Sequence, residues 1–287
     1  MNGSVVLRIA LAAGGLTAPC AAPLCAQGAS ANRDIILATT TSLYDTGLLD
    51  SIVPMFERQS GYHVKVVAVG SGQALAMGRS GDADVAFVHS PTAERAFMDA
   101  GYGVRRRAVA SNYFTIAGPP DDPARVREAA NAEEAFRRIA ASGRPFVSRG
   151  DSSGTHAREL ALWAKIGVRP GGAAYIETGQ GMAATLLVAN ERKAYVLTDR
   201  ATLGVLRRHL DLVGLRGPES DLANIYHVIE LNPAGHPRMN VAGGRAFADF
   251  VMSDEVQQLL AHFGEDRLGE PMFVPAWGKE PTSGATP

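Results

Sequence analysis

"DIILATTTSLYDTGLLDSIVPMF", residues 34–56, holds one complete unit of the fold. Asp34 to Ala38 is a short aliphatic run that reads as a strand. Leu48, Leu49, Ile52, Val53 and Phe56 then recur at helical spacing, with Asp45 or Thr46 placed as the cap and Pro54 inside as a source of bend. Strand followed by helix is the repeat that builds parallel sheets covered by helices. The same alternation continues outward. "HVKVVAVG" (63–70) and "ADVAFVHS" (83–90) are strands, and each is followed by a helical stretch, "SGQALAMGRSGD" (71–82) and "PTAERAFMDAG" (91–101). Three such units in succession predict an α/β fold.

At "VASNYFTIAGPPDDPA" (109–124) a strand runs into a Pro and Asp cluster that marks a boundary. Beyond it the sequence predicts a helix at "NAEEAFRRIAASG" (131–143), a strand at "RPFVSRG" (144–150), a helix from about Thr155, a strand at "AYIETG" (174–179), a helix at "QGMAATLLVANERK" (180–193) and a strand at "AYVLTD" (194–199). "IYHVIELNP" (225–233) is one more strand, and "GGRAFADFVMSDEVQQLLAHFG" (243–264) reads as a single helical stretch. The expected organisation is a first lobe over 27–114 and 229–277, a second over 115–228, and two strands crossing between them as a hinge. Residues 278–287 are polar and Pro-rich and are expected to be a flexible tail.

With 287 residues, 46% of them hydrophobic, the chain can bury a substantial core. Its formal net charge of −1 provides no field for nucleic acid or an anionic membrane. The dense basic run Arg105-Arg106-Arg107 is expected on a solvated loop or helix end. Residues 1–26 read as an export signal, with one charge at Arg8, a weakly polar run and small residues before a cut near Ala26. Both cysteines, Cys20 and Cys25, fall inside it, so the mature chain would hold neither a disulfide nor a thiolate. Lipidation of Cys25 is the rival reading. After the leader, no stretch of about 18 apolar residues is present to span a bilayer.

Chemistry concentrates where strands meet helices. "ATTTS" (38–42) sets four hydroxyl residues at the exit of a strand, more than a helix cap requires. "VGSGQA" (69–74) repeats the arrangement with Ser71 between Gly70 and Gly72, where backbone can approach a ligand. "SRGDSSGT" (148–155) adds Arg149, Ser152, Ser153 and Thr155 at a helix start, where an anion meets aligned N–H groups and a guanidinium together. The alternative for Arg149 is an ion pair with Asp151 or another surface acid. "ETGQGM" (177–182) and "LTDRAT" (197–202) carry weaker versions of the pattern, through Thr178 with Gly179 and Thr198 with Asp199.

Gly150-Asp151-Ser152-Ser153-Gly154 also spells the G-x-S-x-G of a hydrolase nucleophile elbow, with Asp199 and His227 in the order a triad would need. Against it, no HGGG-type oxyanion stretch occurs and the other hydroxyl clusters are left without a role. The seven histidines show no metal-binding spacing, and no metal ligands or catalytic residues are assigned. His89 and His156, at strand and loop ends, are placed to touch a ligand.

Eight segments in order, from "ATTTSLYDTGLLD" through "VGSGQAL", "GDADVAFVHSP", "GYGVRRR", "GPPDDPA", "PFVSRGDSSGTHARELALW" and "ETGQGMAATL" to "AYVLTDRAT", resemble the tungstate-binding periplasmic proteins of ABC uptake systems. The resemblance implies a bilobal type II periplasmic-binding fold with two mostly parallel sheets. It also implies an oxyanion, tungstate or molybdate, as the transported ligand, and a membrane permease with its ATPase as partners. By that resemblance the anion contacts fall on Thr40, Thr41, Ser42, Ser71, Arg149, Ser153, Gly154 and Thr155. Gly72 joins them from the reading of its loop, and Ser152, Thr178 and Gly179 form a secondary set. Leu43, Ser152 and Tyr113 depart from the family's pattern; Ser152 stands where an Asp is common. The expectation is a periplasmic, non-catalytic binding protein acting as a single copy, without cofactor or nucleic-acid partner. A sensor domain on the same fold is a further alternative.

Overall fold

The computed structural model describes residues 1–3 and 32–279. Apart from residues 1–3, the leader expected over 1–26 lies outside the described residues, as do Cys20, Cys25 and all of the expected tail but Gly278 and Lys279. None of the helices among the described residues is long and apolar enough to cross a membrane.

The chain alternates strand and helix as its patterning predicts. β1 (Asp34–Thr40), α1 (Thr41–Asp45) and α2 (Leu48–Ser60) are followed by β2 (His63–Val69), α3 (Ser71–Ser80), β3 (Val85–Val88) and α4 (Pro91–Asp99). A long strand, β4 (Gly103–Gly118), leads to α5 (Ala132–Ser142), β5 (Phe146–Ser148), α6 (Gly154–Lys165), β6 (Tyr175–Glu177), α7 (Met182–Arg192), β7 (Tyr195–Asp199) and α8 (Arg200–Leu206). Short β8 (Val213–Gly214) precedes β9 (Ala223–Leu231), α9 (Val241–Phe250), α10 (Asp254–His262), α11 (Glu265–Leu268) and β10 (Val274–Pro275).

The strand order is β2-β1-β3-β9-β4-β7-β5-β6, with β8 and β10 pairing to β4. β2, β1 and β3 run parallel, and so do β7, β5 and β6. The two parallel groups are halves of one sheet because β4 belongs to both. Its residues up to Tyr113 pair antiparallel with β9, and Phe114 to Ala117 pair with β7. A second strand, β9, fills the place between β3 and β4. Parallel register brings Thr40 level with Val69, and Ser148 level with Glu177, so the carboxyl ends of the strands in each half open onto common ground.

Each half buries its own apolar faces. Ile35, Leu37 and Phe87 of the first half pack with Phe56 of α2 and Phe247 of α9, while Ala38 and Ala86 face Leu75 and Phe97 across the sheet. In the second half Phe136, Phe146 and Trp163 interlock, the Phe136 and Trp163 rings 4.5 Å apart and edge to face. Buried side chains of this size stabilise by roughly 1.5–3 kcal/mol each, which fixes the sheet that carries the loops.

Three local expectations are corrected. The Arg105-Arg106-Arg107 run lies on β4, not on a loop or helix end. Arg106 Nε donates to buried Glu94 Oε2 at 2.9 Å, and Arg107 donates to Glu230 and Asp249, because β4 crosses acidic residues of α4, β9 and α9. The carboxyl-terminal helical stretch is two helices, since Ser253 turns extended and caps α10 by accepting from Val256 N. Helix α2 starts from Gly47, whose left-handed backbone (φ 78°) sets the entry, with Thr46 Oγ1 accepting from Leu48 N just before it.

Candidate functional site

Four helices begin where the two halves face each other. α1 starts at Thr41, α3 at Ser71, α6 at Gly154 and α7 at Met182. The first N–H groups of a helix have no partner within it and point outward along the axis, so this seam is rich in donors. Two of these starts, Gly70 and Gly181, are N-caps without any side-chain cap. Glycine is needed on these loops for closeness: a methyl group on Gly154 would stand 2.5 Å from the His89 carbonyl oxygen and 3.2 Å from Ser71 Oγ. A methyl on Gly70 or Gly72 would lie 3.2 Å from Asp151 O or 3.0 Å from Ser152 O, and one on Gly181 would meet Thr41 Oγ1 at 3.4 Å.

The four hydroxyls after β1 have separate tasks. Thr39 Oγ1 donates to Phe87 O, which spends it on the sheet. Thr40 Oγ1 caps α1 by accepting from Leu43 N. Thr41 Oγ1 accepts from Arg149 Nη2 at 3.1 Å across the seam. Ser42 Oγ lies 2.9 Å from His89 Nε2.

Arg149 is 2% exposed, and its side chain pairs with Asp151 at 2.5 Å through Nη2. The ion pair with Asp151 is made, yet Nε and Nη1 are buried without a hydrogen-bond partner among the described residues. Ser71 Oγ and Thr155 Oγ1 are likewise buried and unpartnered. A buried donor left unsatisfied costs about 1–3 kcal/mol, more when charged, so four such atoms on three residues of one seam call for an acceptor. Ser153 Oγ accepts from His156 N and caps α6, which leaves its role to its backbone.

The secondary set is placed differently. Thr178 and Gly179 brace the loop, with Gly179 N donating to Arg149 O at 2.8 Å and Thr178 Oγ1 bonded to Thr185 Oγ1. Ser152 is exposed and left-handed (φ 59°), and its N–H donates to His156 Nδ1. The hydrolase partners are engaged elsewhere. Asp199 caps α8 by accepting from Thr202 N and Oγ1, and His227 Nδ1 is 2.8 Å from Glu94 Oε2. No group of three or more His, Cys, Asp or Glu that could hold a metal ion occurs among the described residues.

The guanidinium pairs with Asp151 and acts electrostatically on Asp45 and Asp199, and two of these acids are tied to donors of the protein itself. Asp151 Oδ1 accepts from Ser153 N, and Asp199 accepts from Thr202 N and Oγ1. Burial raises the pKa of Asp45 and of Asp199, against the lowering effect of Arg149. Asn224 and Asn112, behind His89, are functional candidates that sequence reading missed; single asparagines within strands carry no signal.

Residues 26–255 match the family described as PBP superfamily domain. The tungstate-binding protein TupA of Peptoclostridium acidaminophilum is 40% identical over 278 residues, 95% of this chain and 96% of that protein. A putative ABC transporter anion-binding protein of Haloferax volcanii is 42% identical over 254 residues, 87% of this chain and 74% of that one. Among solved structures, the tungstate ABC transporter protein of Geobacter sulfurreducens superposes with a TM-score of 0.72 at 42% identity, covering 80% of this chain and 98% of its own.

Proposed function

The chain belongs to the PBP superfamily and, within it, to the family of the TupA tungstate-binding proteins, and from that premise we propose that it captures tungstate, and also molybdate, at the seam and delivers it to an ABC transporter. The observation that carries the reading is the set of buried donors without partners on Ser71, Thr155 and Arg149. A tetrahedral dianion leaving water needs many replacement donors, and burying it unpaired would cost many kcal/mol. Thr40, Thr41, Ser42, Ser71, Gly72, Arg149, Ser153, Gly154 and Thr155 supply them as hydroxyls, amides and one guanidinium.

Tungstate and molybdate are fully ionised at neutral pH and only accept hydrogen bonds. Phosphate carries a proton that needs an acceptor, and the oxygens of Asp151 and Asp199 already accept from the protein's own donors. In this reading a site built of donors favours anions that only accept hydrogen bonds. On the same reading, the lobe expected over 27–114 and 229–277 and the one over 115–228 close on the ligand through β4 and β9. The protein acts in the periplasm after export, as a single copy with a permease and its ATPase as partners, and needs no cofactor.

Titration calorimetry with tungstate, molybdate, sulfate and phosphate under one set of conditions tests it. Tight binding of the first two and weak binding of the others is the expected result. Absence of tungstate binding would overturn the proposal.

A further inference from the structure

Behind Ser42 stands a buried hydrogen-bonded chain that reaches both strands running between β3 and β7. Ser42 Oγ is 2.9 Å from His89 Nε2, and His89 Nδ1 is 2.8 Å from Asn224 Oδ1 on β9. Asn224 Nδ2 in turn donates to Asn112 Oδ1 on β4 at 2.8 Å and to the Tyr226 hydroxyl at 3.0 Å. Ser42, His89, Asn224 and Tyr226 are each at most 1% exposed. The direction of the chain is set by its far end. Since Asn224 spends both amide protons on Asn112 and Tyr226, its oxygen faces His89, and the imidazole carries its proton on Nδ1. The Nε2 lone pair then takes the Ser42 hydroxyl proton.

Resting on the tungstate reading above, we propose that His89 is a positioning residue of the oxyanion site and that capture of the dianion is coupled to uptake of one proton at His89 Nε2. A hydroxyl whose proton points at His89 turns only lone pairs to anything else it meets. An anion that accepts hydrogen bonds and donates none is repelled by that orientation, so the Ser42 hydroxyl rotates to donate to it. The Nε2 lone pair would then face the Ser42 oxygen lone pairs. A proton taken from solvent onto Nε2 removes the conflict: His89 becomes an imidazolium, Nε2–H donates to Ser42 Oγ, Nδ1–H still donates to Asn224, and no covalent bond of protein or ligand breaks.

The surroundings agree with a change of charge on binding. Burial first, and Arg149 as well, depress the His89 pKa to about 4, so the ring is neutral in the ligand-free protein at neutral pH. Glu94 and Asp151 act in the opposite sense, and the rings packed against it, Tyr226 at 4.8 Å and Phe114 at 6.2 Å, are uncharged. The charge of the same guanidinium also acts on Asp45 and Asp199. A dianion beside Arg149 cancels the repulsion that the guanidinium exerts on an imidazolium.

The test is calorimetric titration of the mature protein with tungstate at pH 7, in PIPES and in Tris, whose ionisation enthalpies differ widely. The dependence of the observed heat on buffer gives the protons bound per tungstate. Uptake approaching one in the wild type, lost in His89→Asn and His89→Gln, is expected, with affinity falling up to tenfold per pH unit above neutrality. Asn224→Asp, which places a carboxylate on Nδ1 and favours the imidazolium before binding, should reduce the uptake while keeping tungstate binding, and it serves if the His89 variants misfold. Tungstate binding without proton uptake overturns the inference and leaves the functional reading intact. Uptake that persists unchanged in both His89 variants places the proton on Asp45 or Asp199 and also overturns it. If tungstate does not bind at all, both fall.

Discussion

Arg149 Nη2 is hydrogen bonded to Thr41 Oγ1 at 3.1 Å, which ties the end of β5 to the end of β1 across the seam. The same nitrogen holds Asp151, so the guanidinium is fixed in place while Nε and Nη1 are buried without a partner among the described residues. Arg149→Ala should weaken tungstate binding by about 2 kcal/mol or more, the scale of hydrogen bonds to a charged group. Arg149→Lys should recover only part of that loss, because an ammonium cannot serve Thr41, Asp151 and an anion from one planar fork. Calorimetry measures both, and wild-type affinity in the alanine variant would remove Arg149 from the site.

Gly154→Ala sets two effects against each other. Alanine is worth about 1 kcal/mol more than glycine within a helix, so α6 itself should gain. The new methyl would meet the His89 carbonyl oxygen at 2.5 Å, however, and backbone cannot step aside as a flexible side chain does. The two halves must separate, and the seam loses its close approach. At least a tenfold loss of tungstate affinity is expected with the circular dichroism of the free protein unchanged. Equal affinity in the variant would show that the halves need not meet at Gly154.

Ser152 is a non-glycine residue in the left-handed region and is exposed, with no triad behind it. Left-handed backbone costs an ordinary residue about 1–2 kcal/mol, and the added freedom that glycine has in the unfolded chain takes back about half of the relief. Ser152→Gly should therefore leave the melting temperature level or slightly raised, with tungstate affinity within a factor of two or three. A fluorophosphonate probe should leave wild-type Ser152 unlabelled. Labelling there would restore the nucleophile reading.

The fold was legible because the alternation of strand and helix is a local pattern, and the loops at β1, β2 and β5 announced themselves by dense hydroxyls and glycines. What stayed hidden depends on distant partners. The Arg105-Arg106-Arg107 run looked solvated because its acids, Glu94, Glu230 and Asp249, come from three other elements. The break at Ser253 was masked by apolar periodicity on both sides of it. Asn224 and Asn112 matter only through a contact spanning 112 positions of sequence, which no motif records. Thr178 and Gly179 lie in the same kind of loop, and the register of β5 on β6 lets their N–H groups donate to Ser148 O and Arg149 O, which no local pattern shows.

Glu159, on α6, is almost fully buried and accepts from the Tyr175 hydroxyl at 2.7 Å and from Trp163 Nε1 at 3.2 Å. Burial, the largest influence, raises its pKa from about 4.5 to about 7, while hydrogen bonds from Tyr175, Ser148 and Trp163 pull it down. The folded protein therefore holds a proton here between about 4.5 and about 7 that the unfolded chain has released. Stability falls as pH rises through that window, by on the order of 3 kcal/mol from this group. His89 has the opposite slope between about 4 and its unfolded value near 6.5, since it is neutral when folded. The difference between wild type and Glu159→Gln isolates the carboxyl. Urea unfolding of both proteins at pH 5 and pH 8 should show the glutamine variant gaining on the wild type as pH rises. A stability difference independent of pH would mean that Glu159 is ionised in the fold throughout.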